Sequence, residues 1–400
     1  MNLKIGSIQN MYKSLIFIFV SITSCYGQTQ DSSAHSLLDA YDLMHKILKK
    51  QTSDTSSAEV FKQSLTMVPG FGYSQLKGLA LVLEGNFSFK ASEDAKVSVI
   101  VFVPEITFKK YFVPRVTSSI WLNHNQININ TDWRFYRYVG IDFGIGSKTP
   151  STNFNHYNFD YYRIHQTISK AVLPDFLIGV GYNLDIHNRI SSIGKVNALN
   201  SDGLQVSQST VSSGLVLNLL YDNRQNENFP VGKETFASVS LIQNLKLFNG
   251  TSRYESVLGD FRKYYSNQTF PSNVLAIRSF NWFTIGQKIP YFDLPAAMND
   301  QYNSISRPFI EGRFRGKNLI YMEAEYRFNI TKNEFFGGAF FLNSSSFSEL
   351  TSNKFEKINT GAGASPRIKV NKKSKVYLVA SYGIGSKGAK GFSFSLGDLY

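Results

Sequence analysis

The feature that most constrains this chain is a two-residue hydrophobic period running from about Tyr73 to the C-terminus. In 320–328 one face is Ile320, Met322, Ala324, Tyr326 and Phe328, and the other is Tyr321, Glu323, Glu325 and Arg327. In 376–384 Val376, Leu378, Ala380, Tyr382 and Ile384 share a face, and in 391–400 Phe392, Phe394 and Leu396 alternate with glycine and serine. Leu215, Leu217, Leu219 and Tyr221 repeat the pattern upstream. Such alternation builds strands with one apolar face. A soluble sandwich turns that face inward; a membrane barrel turns it to lipid and lines its lumen with the polar residues. Charges in mid-strand (Glu323, Glu325, Arg327) favour a polar lumen. Aromatic residues near strand ends (Trp121, Trp133, Phe135, Tyr138, Tyr326, Phe328, Tyr400) fit interfacial girdles. Charged residues are 18% of the chain, below the roughly 25% of soluble proteins.

The first residues read as an address. Lys13 precedes the apolar run 15–20, and small and polar residues follow to Gln28, the parts of a secretory signal with cleavage expected near Gly27. The run is too short to span a bilayer, and no later segment reads as a transmembrane helix. Cys25 is either the small residue of the cleavage site or a lipidation site. Removing 1–27 takes away Lys4 and Lys13, so a net charge of +13 becomes +11 (13 − 2), and the only cysteine is lost. A thiol-free chain suits an oxidising, extracytoplasmic compartment. Residues 28–71 carry a capping-box-like start at Ser36 and a helical face of Leu37, Tyr41, Met44, Ile47 and Leu48, then a second helical candidate over 58–67. The expected organisation is therefore a signal over 1–27, a short N-terminal helical segment or linker over 28–71, and an antiparallel transmembrane β-barrel over 72–400. At about 20 residues per strand with its share of turn, that barrel has on the order of 16 strands. The first strand is expected near 74–86 and the last over 391–400.

Tight polar turns (331–334, 371–374) alternate with longer polar stretches (343–357), as short periplasmic turns alternate with long external loops. Counting back from a periplasmic C-terminus makes 293–317 a long external loop. Its basic residues Arg313, Arg315 and Lys317 either bind lipid phosphates, solvate the loop or pack into the lumen. Asp222 and Arg224 read as a structural turn pair. The basic residues are scattered, which argues against nucleic acid. Two copies of Gly-Ile-Gly-Ser-Lys (144–148 and 383–387) lack the helix a dinucleotide-binding loop needs, and read as tight turns. The histidines have no metal-ligand spacing and no nucleophile elbow occurs, so no catalytic residue, metal or cofactor is expected.

The loop carries Arg307, Phe309 and Gly312-Arg313-Phe314-Arg315, followed by Glu325-Tyr326-Arg327. With Asp222, Arg224, Pro230 and Gly232, and with a closing Phe392, Phe394, Leu396 and Tyr400, the chain resembles the BamA/TamA-type outer-membrane assembly-factor family, the bacterial surface antigens. The resemblance implies an outer-membrane barrel, a loop folded back into the lumen on its arginine, and a C-terminal strand read by the barrel-assembly machinery. Pro308 stands where the family has glycine. Asn343 and Ser381 stand where it places aspartates, so Glu311, Glu323 and Glu325 are the candidate partners of Arg307. The segment 28–71 is too short for the family's periplasmic POTRA modules. The expected role is non-enzymatic help in assembling or exporting outer-membrane proteins or lipids, with outer-membrane lipid and separately encoded periplasmic or outer-membrane partners. A passive channel or structural surface protein, or an outer-membrane hydrolase, are the alternatives.

Overall fold

A computed structural model describes residues 39–40, 63–74, 78–109, 111–193, 207–266, 269 and 272–398. The expected signal peptide, Cys25, the helical face of 37–48 and Tyr400 lie outside the described residues. The described chain is almost entirely strand: β1 (Gln63–Ser74), β2 (Gly78–Phe89), β3 (Ser98–Val103), β4 (Glu105–Thr107), β5 (Arg115–Leu122), β6 (Ile127–Asp142), β7 (Asn155–Leu173), β8 (Phe176–Ile193), β9 (Thr210–Asp222), β10 (Thr235–Leu245), β11 (Tyr254–Tyr265), β12 (Val274–Ile285), β13 (Asn318–Asn329), β14 (Phe336–Phe347), β15 (Asn359–Asn371), β16 (Val376–Gly385) and β17 (Lys390–Leu396). β3 and β4 both pair with β2 and are one strand broken at Pro104, whose missing N–H cannot enter the ladder. The segments thus make sixteen barrel strands, each antiparallel to its neighbours in sequence.

The alternation is inside out relative to a soluble protein. On β13, Met322 is 54% exposed and Tyr326 46%, whereas Tyr321, Glu323, Glu325 and Arg327 on the opposite face are buried. Leu215, Leu217 and Leu219 on β9 and Phe392 and Phe394 on β17 also face outward. Hydrocarbon makes that arrangement favourable, and a nearly closed cylinder keeps unpaired backbone groups out of it everywhere but at its seam.

The cylinder has one seam. Among the described residues no ladder joins β17 to β1. The lower end of β17 instead turns inward: Leu396 is buried and its amide donates to the Glu84 carboxylate on β2.

Three expectations need correction. Among the described residues the first strand runs from Gln63, so 63–67 is strand rather than helix, and the stretch near 74–86 is largely the second strand. Leu65 and Met67 face out while Thr66 between them is buried, so these residues follow the period of two. Trp121 is not a girdle residue. It is buried against Leu177 and Leu220, with the Lys96 ammonium 4.5 Å from its ring centre.

Candidate functional site

Two segments fill the lumen, one from each end. The long loop between β12 and β13 folds back into the barrel from one mouth, which the sequence reading makes the outer one. The turn between β9 and β10 folds in from the opposite mouth, the periplasmic one on the same reading.

The outer loop is held along its length by wall charges. Arg315 donates to Asp142 (3.1 Å) and to the carbonyls of Tyr291, Phe292 and Leu294, and the Tyr291 hydroxyl also donates to Asp142. Further down, Asp300 accepts from Arg278 of β12 (3.2 Å), while its carbonyl accepts from Arg134 of β6 (2.7 Å). Asp300 also closes the loop's own bend by accepting the Ser304 and Ile305 amides. Gly312 is the position where glycine is needed. Its φ is +73°, and a Cβ there would stand 2.4 Å from the Ile141 carbonyl oxygen.

Arg307 finds its anions on β13. Its Nε donates to Glu323 (2.9 Å), and Nη2 bonds both Glu323 and Glu325. Glu325 also accepts from Arg327 (2.7 Å), and Arg327 and Arg367 share Asp398 (3.3 and 2.8 Å) beyond the end of β17. An unbroken row of buried charges therefore runs from the loop tip to the C-terminal end of the barrel. Breaking one such buried pair costs roughly 3–5 kcal/mol, because the remaining charge has no water to turn to. Asn343, standing where the resemblance led one to look for an acid, donates to the Arg307 carbonyl (2.7 Å) and to Glu323 (3.0 Å). Glu311 lies beside Arg315 along a small internal cavity.

The tip reaches the seam through a row of glycines. A Cβ on Gly361 would come within 2.4 Å of the Arg307 carbonyl oxygen. One on Gly383 would come within 3.0 Å of Pro308 Cβ, and one on Gly391, in β17, within 2.3 Å of the Pro308 carbonyl oxygen. Missing side chains let Pro308 rest on β15, β16 and β17 together. Phe309 and Phe314 meet edge to face (4.9 Å) in the cluster with Phe347 and Tyr321.

The periplasmic turn is anchored as firmly. Asp222 and Arg224 form a buried bidentate pair (2.9 and 2.8 Å). Asn228 bonds Asn86 (2.8 Å) and Ser88 (2.8 Å), and Phe229 stacks on Tyr377 (5.6 Å). Pro230 is buried and Gly232 takes φ +69° to bring the chain back out. The two plugs touch: Tyr302 of the outer loop donates to Glu227 of the turn at 2.8 Å.

Sequence reasoning brought together Arg307, Glu323 and Glu325, and the pair Asp222–Arg224. It missed Asp132–Arg134 and Asp260–Arg262, each bidentate and buried. Their signal was available. Acid-X-Arg puts both charges on one face of a strand, and it recurs at 132–134, 222–224, 260–262 and 325–327. The C-terminal residues divide, with Phe392 and Phe394 facing lipid and Leu396 buried.

No family model and no curated protein sequence matches the chain. Among solved structures, the barrel is similar to CdiB from Acinetobacter baumannii, with a TM-score of 0.53 and 13% identity over 84% of this chain and 59% of that one. The two share a fold, the antiparallel transmembrane-type β-barrel. BamA from Haemophilus ducreyi lacking POTRA domains 1–3 aligns with a TM-score of 0.49 and 12% identity over 86% of this chain and 73% of that one. The chain thus spans less than two thirds of CdiB.

Proposed function

We propose that this protein acts in the outer membrane as a plugged barrel that assists insertion or export of proteins or lipids along the β1–β17 seam, without catalysing a reaction. The observation that carries the reading is the Tyr302–Glu227 contact. It joins two plugs in mid-lumen, and a bore crossed by two linked segments counts against a passive channel. A seam without a ladder between its first and last strands supports lateral work instead, since unpaired backbone edges are templates for an incoming strand. Outer-membrane lipid is then a direct partner, and separately encoded periplasmic or outer-membrane proteins would bring the cargo. The outward-facing Phe392 and Phe394 on β17 suit recognition by the assembly machinery.

Depletion of the protein followed by outer-membrane proteomics tests this reading, with loss of a subset of barrel proteins or surface lipids as the expected result. An unchanged inventory, or a steady ion-selective current from purified wild-type protein in planar bilayers, would overturn it.

A further inference from the structure

The two Gly-Ile-Gly-Ser-Lys copies, far apart in sequence, meet at the outer mouth. The first lies between β6 and β7, and the second ends β16 and enters the turn to β17. Lys387 of the second copy donates from Nζ to the carbonyl of Ser147 in the first copy (2.9 Å) and to that of Thr149 just beyond it (3.1 Å). Asn359 ties the copies together, donating to the Ser147 carbonyl (3.2 Å) and accepting from the Ser386 hydroxyl (3.3 Å). The lumen loop adds Arg313, which donates to the Thr149 hydroxyl (3.0 Å) and carbonyl (2.8 Å).

Two like charges are therefore held on one carbonyl oxygen. They also share one ring, with Phe314 4.3 Å from the Arg313 guanidinium and 5.4 Å from Lys387 Nζ. Arg313 is only 6% exposed, yet among the described residues no carboxylate pairs with it or with Lys387. This sets it apart from the paired buried arginines of the wall, such as Arg134, Arg163 and Arg278, and of the two plugs, Arg224, Arg307 and Arg315, each of which meets an acid. Lys357 adds a third positive charge to the field at Lys387, and Glu349 is the acid facing it. Lys148 is neutralised by Glu356. Burial, and then the Arg313 charge, holds the Lys387 ammonium below the usual lysine range. A buried cation without an anion is costly, and Lys387 itself is open to the outside.

We propose that the meeting point of the two repeats binds an oxyanion of the phosphomonoester class at the outer mouth. Arg313, Lys387 and Lys357 against Glu349 leave an excess of two positive charges. A phosphomonoester carries about −1.5 to −2 near neutral pH and matches that excess, whereas a carboxylate would leave one cation uncompensated. Free phosphate and the headgroup of a phosphorylated outer-leaflet lipid share this chemistry.

The test is calorimetric titration of the full chain, folded in dodecyl maltoside at constant ionic strength. Sodium phosphate is one titrant and phosphatidic acid in mixed micelles another, with phosphatidylcholine as the blank. Saturable binding of at least one phosphate titrant is expected, weakened at least fivefold in Lys387→Gln, retained in Lys387→Arg and unchanged in Lys233→Gln, in the β9–β10 turn at the opposite mouth. Binding of phosphatidic acid alone assigns a lipid headgroup, and binding of sodium phosphate assigns a site open to the free ion. Absence of saturable binding by either, or a Lys387→Gln variant that still shows the heat-dependent gel shift of a folded barrel and titrates like wild type, overturns the proposal.

Discussion

Replacing Gly361 by alanine tests whether the glycine row seats the plug. The new Cβ would lie 2.4 Å from the Arg307 carbonyl oxygen and 2.6 Å from Pro308 Cδ. Neither neighbour can step aside by changing rotamer, since one is backbone and the other belongs to a ring. Ordinary contact begins near 3.4 Å, so tip and wall must separate by about 1 Å. A retreat of that size stretches the 2.9 Å Arg307–Glu323 bond beyond hydrogen-bonding range. Overpacking of this kind costs about 1–3 kcal/mol. Applied to the seated state alone, that raises the unseated fraction roughly 5- to 150-fold. The assay is current through purified protein in planar bilayers, scored as the fraction of time spent in open excursions. Gly361→Ala should open more often by that factor, and Gly391→Ala should do the same from the seam strand. Gly70→Ala, whose Cβ would meet nothing nearer than 4.0 Å, should match wild type. A folded Gly361→Ala barrel that stays as closed as wild type would refute the reasoning.

Replacing Arg307 by methionine leaves Glu323 without a guanidinium and Glu325 with Arg327 alone, and should cost about 3–5 kcal/mol, read as a lower temperature for the heat-dependent gel shift. Asp398→Asn removes the charge shared by Arg327 and Arg367, and should speed amide exchange in Lys390–Leu396 relative to β13. Asn228→Leu deprives Asn86 and Ser88 of their partner, at roughly 1–3 kcal/mol, and should expose 223–234 to added protease from the periplasmic side. Burial and the nearby Asp185 carboxylate push Asp293, in the lumen loop, up to about 8. A raised carboxyl pKa favours the folded state at low pH, and that contribution is lost as pH rises from about 4 through 8. Asp293→Asn should therefore gain thermal stability over wild type at pH 9 and little at pH 5, and equal gains at both would count against the assignment.

How much of this could be read from residues alone depends on how local the determining physics is. Whether a strand faces lipid or lumen is decided two residues at a time, so Ile320 to Phe328 declared its inner and outer faces without help. The order of turns and loops near the C-terminal end followed from turn composition, and counting back through tight turns such as 371–374 put a long loop just before β13, where one lies. The start of the barrel was less readable. Leu65 and Met67 fit an amphipathic helix about as well as a strand over so short a run, and only pairing with β2 decides between them. Trp121 misled for a related reason. A tryptophan near a strand end suits either a girdle or a lumen cluster, and the choice rests on Leu177 and Leu220, distant in sequence.

The interior was the least local part. The Arg307 partners were named because an arginine entering a closed lumen must meet an acid, and Glu323 and Glu325 lie on the inner face of β13. Nothing local announced that the turn at 223–234 would rise to touch Tyr302, or that the two Gly-Ile-Gly-Ser-Lys copies would converge. Both depend on how the cylinder closes, which brings β6, β9 and β16 round a common axis. The row of glycines shows the same logic in reverse. Gly361, Gly383 and Gly391 look like ordinary strand weakeners one at a time. They acquire a purpose only when Pro308, carried in on the lumen loop, needs the space that three side chains would have filled.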